Sequence, residues 1–183
     1  MIAEAPSAWV VRWTAHIASG TAVLDVACGA GRHSRLLAAR GCSVTAVDRD
    51  GGVAHALANV PNVDFIQADL EADGWPLPGR QFGVIIVTNY LHRPLFAALR
   101  IALGPAGMLI YETFAVGNAA FGRPSNPEYL LRPRELLEVF GSDMRVLAFE
   151  DGFINEPKPA MVQRIAIRNA APDVTLAAER CRL

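Results

Sequence analysis

Two glycines and a carboxylate form the most informative pattern in this sequence. The apolar segment Ala22–Ala27 runs into Gly29 and Gly31, and a stretch with helical spacing follows. Glycines at a strand-to-helix turn let a ligand approach the backbone, and the start of the helix offers unsatisfied N–H groups. Asp48 closes the next apolar segment, about 20 residues later, where a carboxylate can bind both hydroxyls of a ribose. The pattern predicts nucleoside binding, although a tight turn without a ligand would carry the same glycines.

Two further features of the sequence narrow the choice of ligand. Asp69 follows the apolar segment Val63–Ala68, at the tip of a third predicted strand, where its side chain could reach an adenine amino group. A carboxylate near the end of each of three successive strands favours a nucleoside site, although each Asp alone could cap a turn. Ser34 stands where a dinucleotide fingerprint would have Gly or Ala, which makes NAD the less favoured nucleotide.

Strand-like and helix-like segments alternate along the chain and must position these residues. Near-continuous apolar runs, typical of strands buried on both faces, predict strands over Ala22–Ala27, Ser43–Val47, Val63–Ala68, Phe82–Thr88 and Met108–Thr113. Helical spacing predicts helices over Ser7–Ala18, Arg32–Arg40, Gly51–Asn59, His92–Leu103 and Pro133–Phe140. Two last strands, Arg145–Phe149 and Val162–Arg168, are joined by a connection too short for a helix and should pair antiparallel.

The predicted fold is α/β: a Rossmann-like, doubly wound, seven-stranded sheet with helical crossovers, mostly parallel, with an antiparallel C-terminal hairpin. We expect one domain over residues 1–183, with a leading helix in 1–20, a long loop at 115–131 and a tail at 170–183. Val174–Leu183 could add a short helix to that tail.

Composition excludes several classes of protein. The 183 residues are 52% hydrophobic and 19% charged, with a net charge of −1, which argues against disorder and against the positive field of a nucleic-acid binder. No apolar run reaches the roughly 18 residues of a membrane span. Scattered Cys28, Cys42 and Cys181 suit a reducing compartment and no structural zinc, and the N-terminus lacks a signal-peptide pattern, so we expect a cytoplasmic protein without a bound metal. Cys28 and Cys42 should lie roughly 15 Å apart, too far for a disulfide.

The segments quoted above, taken together, resemble the motifs of the class I S-adenosylmethionine-dependent methyltransferases, over roughly Ser7–Arg168. The small tellurite-resistance-like members offer a general similarity. The matching segments are Val23-Leu-Asp-Val-Ala-Cys-Gly-Ala-Gly31, Val44-Thr-Ala-Val-Asp48, Phe65-Ile-Gln-Ala-Asp69, Phe82-Gly-Val-Ile-Ile-Val-Thr-Asn-Tyr90 and Gly107-Met-Leu-Ile-Tyr-Glu112.

The resemblance implies S-adenosylmethionine as cofactor, S-adenosylhomocysteine as product, and a role for each matching position. The backbone of Ala27, Cys28, Gly29 and Gly31 would face the methionine part, and Asp25 would hold its amino end directly or through water. Asp48 would bind the ribose, and Asp69 with Leu70 would frame the adenine. Asn89 or Tyr90 would lie beside the methionine tail, and His33 would either contact the cofactor or lie on the helix surface.

Methyl transfer is an in-line displacement, so the protein must mainly align two reactants and exclude water. A general base is needed only where the acceptor loses a proton. His92, Tyr90 and Glu112 are the candidate catalytic groups, with His92 first, although His92 could simply start a helix and Glu112 could orient a loop.

The loop at 115–131 follows the fifth strand and is rich in Gly, Asn and Pro, as functional loops often are. It predicts a substrate-binding or lid loop, with Phe121, Arg123, Asn126 and Tyr129 as candidates for acceptor recognition. The alternative to acceptor recognition is that Arg123 is solvated and that Phe121 only holds the loop against the core. Trp9 and Trp13 could cover the cofactor, but we favour a buried helix face.

The leading hypothesis is an enzyme that methylates a small molecule, as a monomer or homodimer, without nucleic-acid or membrane partners. An RNA or protein methyltransferase is the first alternative, weakened for base methylation because Asn89-Tyr-Leu-His92 lacks the Pro-Pro-aromatic pattern. A non-catalytic S-adenosylmethionine-binding module is the second. A nicotinamide-dependent oxidoreductase is the third, opposed by Ser34.

Overall fold

The computed structural model describes residues 5–170 and shows a seven-stranded mixed sheet with helices packed on both faces. The strands are β1 (Ala22–Val26), β2 (Ser43–Asp48), β3 (Val63–Gln67), β4 (Phe82–Thr88), β5 (Leu103–Phe114), β6 (Arg145–Ile154) and β7 (Ala160–Arg168). The helices are α1 (Ala8–Thr14), α2 (Arg32–Ala39), α3 (Gly52–Leu57), α4 (Leu95–Ala102) and α5 (Glu135–Phe140). The strand order is β3-β2-β1-β4-β5-β7-β6, with β1 to β5 parallel and β7 antiparallel to both its neighbours. The predicted fold class is therefore confirmed.

Alternate residues of each central strand pack in two different hydrophobic cores, one on each face of the sheet. In β4, Ile86 packs in the cluster that contains Trp9, whereas the adjacent Ile85 packs in the cluster that contains Phe140. Successive side chains of a strand point to opposite faces, so a strand buried on both faces needs apolar residues throughout. This explains the unbroken apolar run of β4 and fixes the sheet between two helical layers.

Trp9 and Trp13 form the buried face of α1, the role we favoured. Their rings meet edge-on with centroids 5.7 Å apart, and the indole Nε1 of Trp9 donates to the carbonyl of Ile165 at 3.4 Å. Trp9 is only 3% exposed and Trp13 9%. The pair therefore fastens α1 to the sheet.

Several predicted boundaries were wrong. The helix predicted over His92–Leu103 begins at Leu95, because a residue that precedes proline disfavours the helical conformation and Arg93 precedes Pro94. It ends before Leu103, which is extended and pairs with Phe82, so β5 begins five residues earlier than predicted. The leading helix ends at Thr14, and the hairpin strands β6 and β7 extend to Ile154 and back to Ala160.

The connection from β3 to β4, residues 68–81, is built from turns and carries no helix, so the expectation of a helical crossover there was wrong. The suggested helix at Val174–Leu183, and most of the predicted tail, lie outside the described residues. Within residues 5–170, no helix has the length and apolar character needed to cross a bilayer.

Candidate active site

The turn after β1 has the backbone that its glycines predict. Gly29 (φ +52°) and Gly31 (φ +74°) both lie in the left-handed region, as does Ala27 (φ +51°), and Gly31 is the N-cap residue of α2. Nothing lies within 4 Å of the position that a Cβ would take at Gly29. The turn therefore leaves open space beside its backbone at the carboxyl ends of the parallel strands, where ligands of such sheets bind.

Asp48 is fixed beside this turn by two backbone amides. Its Oδ2 accepts a hydrogen bond from the N–H of Gly29 at 2.8 Å, and its Oδ1 accepts from the N–H of Asp50 at 2.9 Å. Each carboxylate oxygen keeps a second lone pair, so the same group can still accept from a ligand hydroxyl.

A cavity of about 220 Å³ opens at the ends of β1, β2, β3 and β4. The structure brings together five of the predicted site residues in its lining: Ala27, Asp48, Asp69, Leu70 and Tyr90. Asp69 also caps its own turn, because its Oδ1 accepts from the N–H of Glu71 at 2.9 Å. The turn cap considered for Asp69 is therefore present, and the same side chain lines the cavity, where it stays a candidate for contact with an adenine.

A second cavity, of about 280 Å³, continues from the first and shares Ala27 and Tyr90 with it. Its lining includes three further predicted residues, Cys28, Gly29 and Asn89, whereas the predicted Gly31 lines neither cavity. We call these two cavities together the strand-end crevice. An elongated ligand that lies along it would pass from Asp69 to Asn89.

Burial changes the ionisable groups of the crevice. The phenol of Tyr90 has a raised pKa because it is desolvated and lies near the charges of Glu71 and Asp69. Burial, followed by the charge of Asp25, likewise raises the pKa of the Cys28 thiol. Both raised pKa values favour the protonated groups at neutral pH, in which Tyr90 can donate a hydrogen bond to a ligand.

Asp25 lies inside the protein next to the crevice. Its side chain is 1% exposed and its Oδ2 accepts a hydrogen bond of 2.6 Å from the hydroxyl of Ser34. Burial, only partly offset by the Ser34 hydrogen bonds, raises the pKa of Asp25 to about 6. Asp25 lines neither cavity of the crevice, and its direct contact is with α2.

His33 is buried, so the helix-surface position considered for it was wrong. Its Nε2 accepts from the backbone N–H of Ser7 at 3.1 Å, and its Nδ1 lies 3.5 Å from the hydroxyl of Thr88. Burial, and then the charge of Arg32, lower the pKa of His33 to about 3. A neutral His33 ties the segment before α1 to α2, and its side chain does not line the crevice.

A third cavity, of about 310 Å³, lies beside the crevice and shares Arg32 and Asn89 with it. We call it the hairpin cavity, because the connection between β6 and β7 forms one wall. Its lining is Ala5, Pro6, Ser7, Ala8, Arg32, Asn89, Glu112, Phe114, Ile154, Glu156, Pro157, Lys158, Ala160, Val162 and Arg164.

Glu112 lies in the hairpin cavity with both carboxylate oxygens engaged. Oε1 accepts a 2.7 Å hydrogen bond from the Ser7 hydroxyl, and Oε2 pairs with Arg164 at 3.0 Å. It therefore fastens side chains, not the loop backbone that we considered. His92 is half-buried and lines none of the three cavities, so the structure does not bring our first candidate base to this site.

The loop at 115–131 folds onto itself and not over the crevice. Its ends pair at Ala115 and Leu131, and the ring of Phe121 packs at a tilt against that of Phe153, with centroids 5.0 Å apart. Asn126 caps a 3-10 turn at Pro127–Tyr129. Of the four acceptor candidates, Phe121, Arg123, Asn126 and Tyr129, none lines the crevice or the hairpin cavity.

Sequence reasoning missed the other side of the site. The lining of the hairpin cavity includes Ser7, Ile154 and Lys158. From the sequence, we interpreted the segment between β6 and β7 only as a connection between strands. The available signal was that Lys158 is the only lysine in the chain. Among residues 5–170, no group of three or more His, Cys, Asp or Glu is placed to hold a metal ion, and Cys28 and Cys42 are free thiols.

Comparison with known sequences identifies a domain. Residues 23–107 match the family model described as a methyltransferase domain. Two curated relatives are similar over 105 residues: a ubiquinone biosynthesis O-methyltransferase of Azotobacter vinelandii, at 35% identity, and a trans-aconitate 2-methyltransferase of Paracidovorax citrulli, at 32%. The match covers 52% of this chain but only 45% and 40% of those proteins, less than half of their length.

Solved structures share the fold over more of the chain. TehB from Haemophilus influenzae has a TM-score of 0.75 at 18% identity, over 89% of this chain and 62% of TehB. A 1,6-didemethyltoxoflavin-N1-methyltransferase of Burkholderia thailandensis, solved with S-adenosylhomocysteine, has a TM-score of 0.66 at 18% identity, over 88% and 76% of the two chains. Residues 23–107 thus match the model of a methyltransferase domain, and the chain shares the fold of these two solved structures.

Proposed function

We propose that this protein transfers a methyl group from S-adenosylmethionine to a small-molecule acceptor. The observation that carries the proposal is the strand-end crevice, which combines an open glycine turn with two carboxylates, Asp48 and Asp69, along one groove. These carboxylates offer hydrogen-bond acceptors to the hydroxyl and amino groups of a nucleoside, and the open glycine turn leaves room for an attached amino acid.

Different residues of the crevice would bind different parts of the cofactor. Asp48, held by Gly29 and Asp50, would accept from the ribose hydroxyls, and Asp69 and Leu70 would frame the adenine. Ala27, Cys28, Gly29, Gly31, Asn89 and Tyr90 would face the methionine part. When bound, the cofactor supplies an electrophilic methyl group on a sulfonium. Asp25 and His33 would not contact the cofactor directly. Asp25 would position the start of α2 through its hydrogen bond with Ser34, and His33 would position Ser7.

A small acceptor is favoured over RNA or protein by the size of the neighbouring space. The hairpin cavity, about 310 Å³, is in the size range of small-molecule sites and meets the crevice at Asn89 and Arg32. Both curated relatives are named for small molecules. A space for an acceptor directly beside the cofactor also favours catalysis over simple cofactor storage.

Calorimetric titration with S-adenosylmethionine, S-adenosylhomocysteine, NAD and NADP tests the proposal. We expect both sulfur nucleosides to bind and both nicotinamide nucleotides to fail. Asp48→Ala removes two hydrogen-bonded carboxylate oxygens and should weaken binding about 100-fold. Asp64→Ala, an exposed carboxylate on β3, is the matched control and should bind normally. Failure of both sulfur nucleosides to bind the folded wild-type protein would reject the proposal.

A further inference from the structure

The hairpin cavity has an apolar wall and a charged wall. Phe114, Ile154 and Val162 line it from the ends of β5, β6 and β7. Pro6 and Pro157 add apolar surface from the segment before α1 and from the β6–β7 connection. A ligand in this space would place an apolar body against these side chains, since burial of that surface is favourable.

The charged side chains of the cavity leave a cation for a ligand. Arg164 is paired with Glu112 at 3.0 Å and with Glu150 at 2.9 Å, so its charge is compensated within the protein. Lys158 is exposed, and within residues 5–170 no ion pair or hydrogen bond of its ammonium is found. The ammonium of Lys158 is therefore available to an anionic group.

The same cavity offers no good proton acceptor. Glu112 forms an ion pair with Arg164 and accepts from the Ser7 hydroxyl, so taking a proton would cost it the ion pair. The Nε2 of His33 is engaged by the Ser7 amide. The remaining carboxylate of the lining, Glu156, is exposed, and a solvated carboxylate is a weak base. An acceptor that had to lose a proton would find little help here, whereas one that is already ionised would need none.

We propose, on the basis of the methyl transfer proposed above, that the hairpin cavity binds the acceptor and that this acceptor is a small carboxylate with an apolar body, held by Lys158. A carboxylate oxygen forms the new bond to the methyl carbon as the carbon–sulfur bond breaks. The electron pair of that bond goes to sulfur, which becomes a neutral thioether. The product is a methyl ester, and no proton is released.

Binding to the protein saturated with S-adenosylhomocysteine tests the cavity without turnover. The probes are hexanoate and trans-cinnamate, with hexanamide and cinnamamide as neutral matches of the same shape. We expect the two carboxylates to bind at least 10-fold more tightly than their amides. Lys158→Met should remove that preference, and Lys158→Arg should restore most of it. Arg145→Met, an exposed cation at the opposite end of β6, is the control and should leave it unchanged.

Transfer of labelled methyl groups gives the second readout. trans-Cinnamate is compared with cinnamyl alcohol and cinnamylamine, and a methyl ester is recognised because alkali releases its label as methanol. We expect transfer to the carboxylate alone, with KM raised about 10-fold in Lys158→Met and kcat little changed. Transfer only to the alcohol or the amine, or carboxylate binding that is indifferent to Lys158→Met, would overturn the inference.

The two proposals fail separately. If S-adenosylmethionine does not bind, the proposed function itself is wrong. If S-adenosylmethionine binds but neither carboxylate binds the loaded protein, only the assignment of the acceptor is wrong.

Discussion

The carboxylate of Asp48 accepts a hydrogen bond from the backbone amide of Gly29 at 2.8 Å, across 19 positions of sequence. The parallel pairing of β1 and β2, with Val26 opposite Val47, brings the two residues together. The glycine turn and the carboxylate are therefore parts of one rigid site, prepared before a ligand binds. This relationship underlies the first prediction.

Gly29→Ala and Gly31→Ala should differ in their effects. Both residues have positive φ, so an alanine costs about 1–2 kcal/mol of backbone strain at either position. At Gly31 the new methyl group would also come within 2.6 Å of a Leu57 methyl, whereas at Gly29 it meets no protein atom and faces the crevice. We expect Gly31→Ala to be the less stable variant in urea unfolding, and Gly29→Ala to lose more affinity for S-adenosylhomocysteine. The opposite order in both measurements would contradict this account of the turn.

Asp25→Asn should stabilise the protein at neutral pH. Because the folded-state pKa of Asp25 is about 6 and the unfolded value is 3.8, its contribution to stability is full below pH 3.8 and is lost as pH rises through 6. Above pH 7 the buried ionised carboxylate therefore costs about 2–3 kcal/mol, which a neutral amide avoids. Urea unfolding at pH 4.5, 6.0 and 7.5 should show the advantage of the variant growing with pH.

The matched control for Asp25→Asn is Asp64→Asn, since Asp64 is an exposed carboxylate on β3. We expect no pH-dependent gain from it. If Asp25→Asn were equally destabilised at all three pH values, the carboxylate would not be held in the desolvated state described here.

His33→Gln should flatten the loss of stability in acid. The pKa of His33 falls from 6.5 to about 3 on folding, so its contribution is full above pH 6.5 and is lost as pH falls towards 3. Glutamine keeps an acceptor for the Ser7 amide but cannot be protonated. Thermal unfolding between pH 7 and pH 4 measures how steeply the stability falls with pH. The control variant His16→Gln, at an exposed position, should show the same pH dependence as the wild type. Equal slopes for wild type and His33→Gln would disprove this role.

Arg93→Met should loosen the end of the loop at 115–131. The Arg93 guanidinium binds both oxygens of Glu135, at 2.7 and 2.9 Å, and also the carbonyls of Glu128 and Leu130. Its removal leaves a largely buried carboxylate without its cation, which costs about 3 kcal/mol. Arg134→Met, which removes only an exposed pair with Glu138, should cost less than about 1 kcal/mol. Urea unfolding measures the free energy of unfolding of both variants. Equal decreases in the two variants would show that the buried Arg93–Glu135 pair stabilises the protein no more than the exposed pair does.

The sequence was sufficient to predict the sheet and one half of the site. The order of apolar segments and glycines predicts parallel strands, whose carboxyl ends meet at one edge, so local pattern was enough to predict that Asp48 and Asp69 lie together, while Asn89 came from the family resemblance. The burial of His33 could not be predicted in this way, because its ring contacts the backbone N–H of Ser7, 26 positions away in sequence.

The acceptor side could not be read from local pattern. The loop at 115–131 has the composition of a binding loop, but its ends are closed by backbone pairing at Ala115 and Leu131 and by the buried side chain of Asn118. Lys158 instead lines the hairpin cavity, because β7 runs antiparallel to β5 and returns the β6–β7 connection to the edge where β5 ends. That placement is set by sheet topology, not by any motif around Lys158.

The most direct test of the central claim is a crystal structure of the protein grown with S-adenosylhomocysteine. The account predicts the adenine between Asp69 and Leu70, both ribose hydroxyls on the Asp48 carboxylate, and the homocysteine sulfur near Asn89, facing the hairpin cavity. Ligand bound elsewhere on the protein, or bound in the crevice with its sulfur turned away from the hairpin cavity, would contradict it.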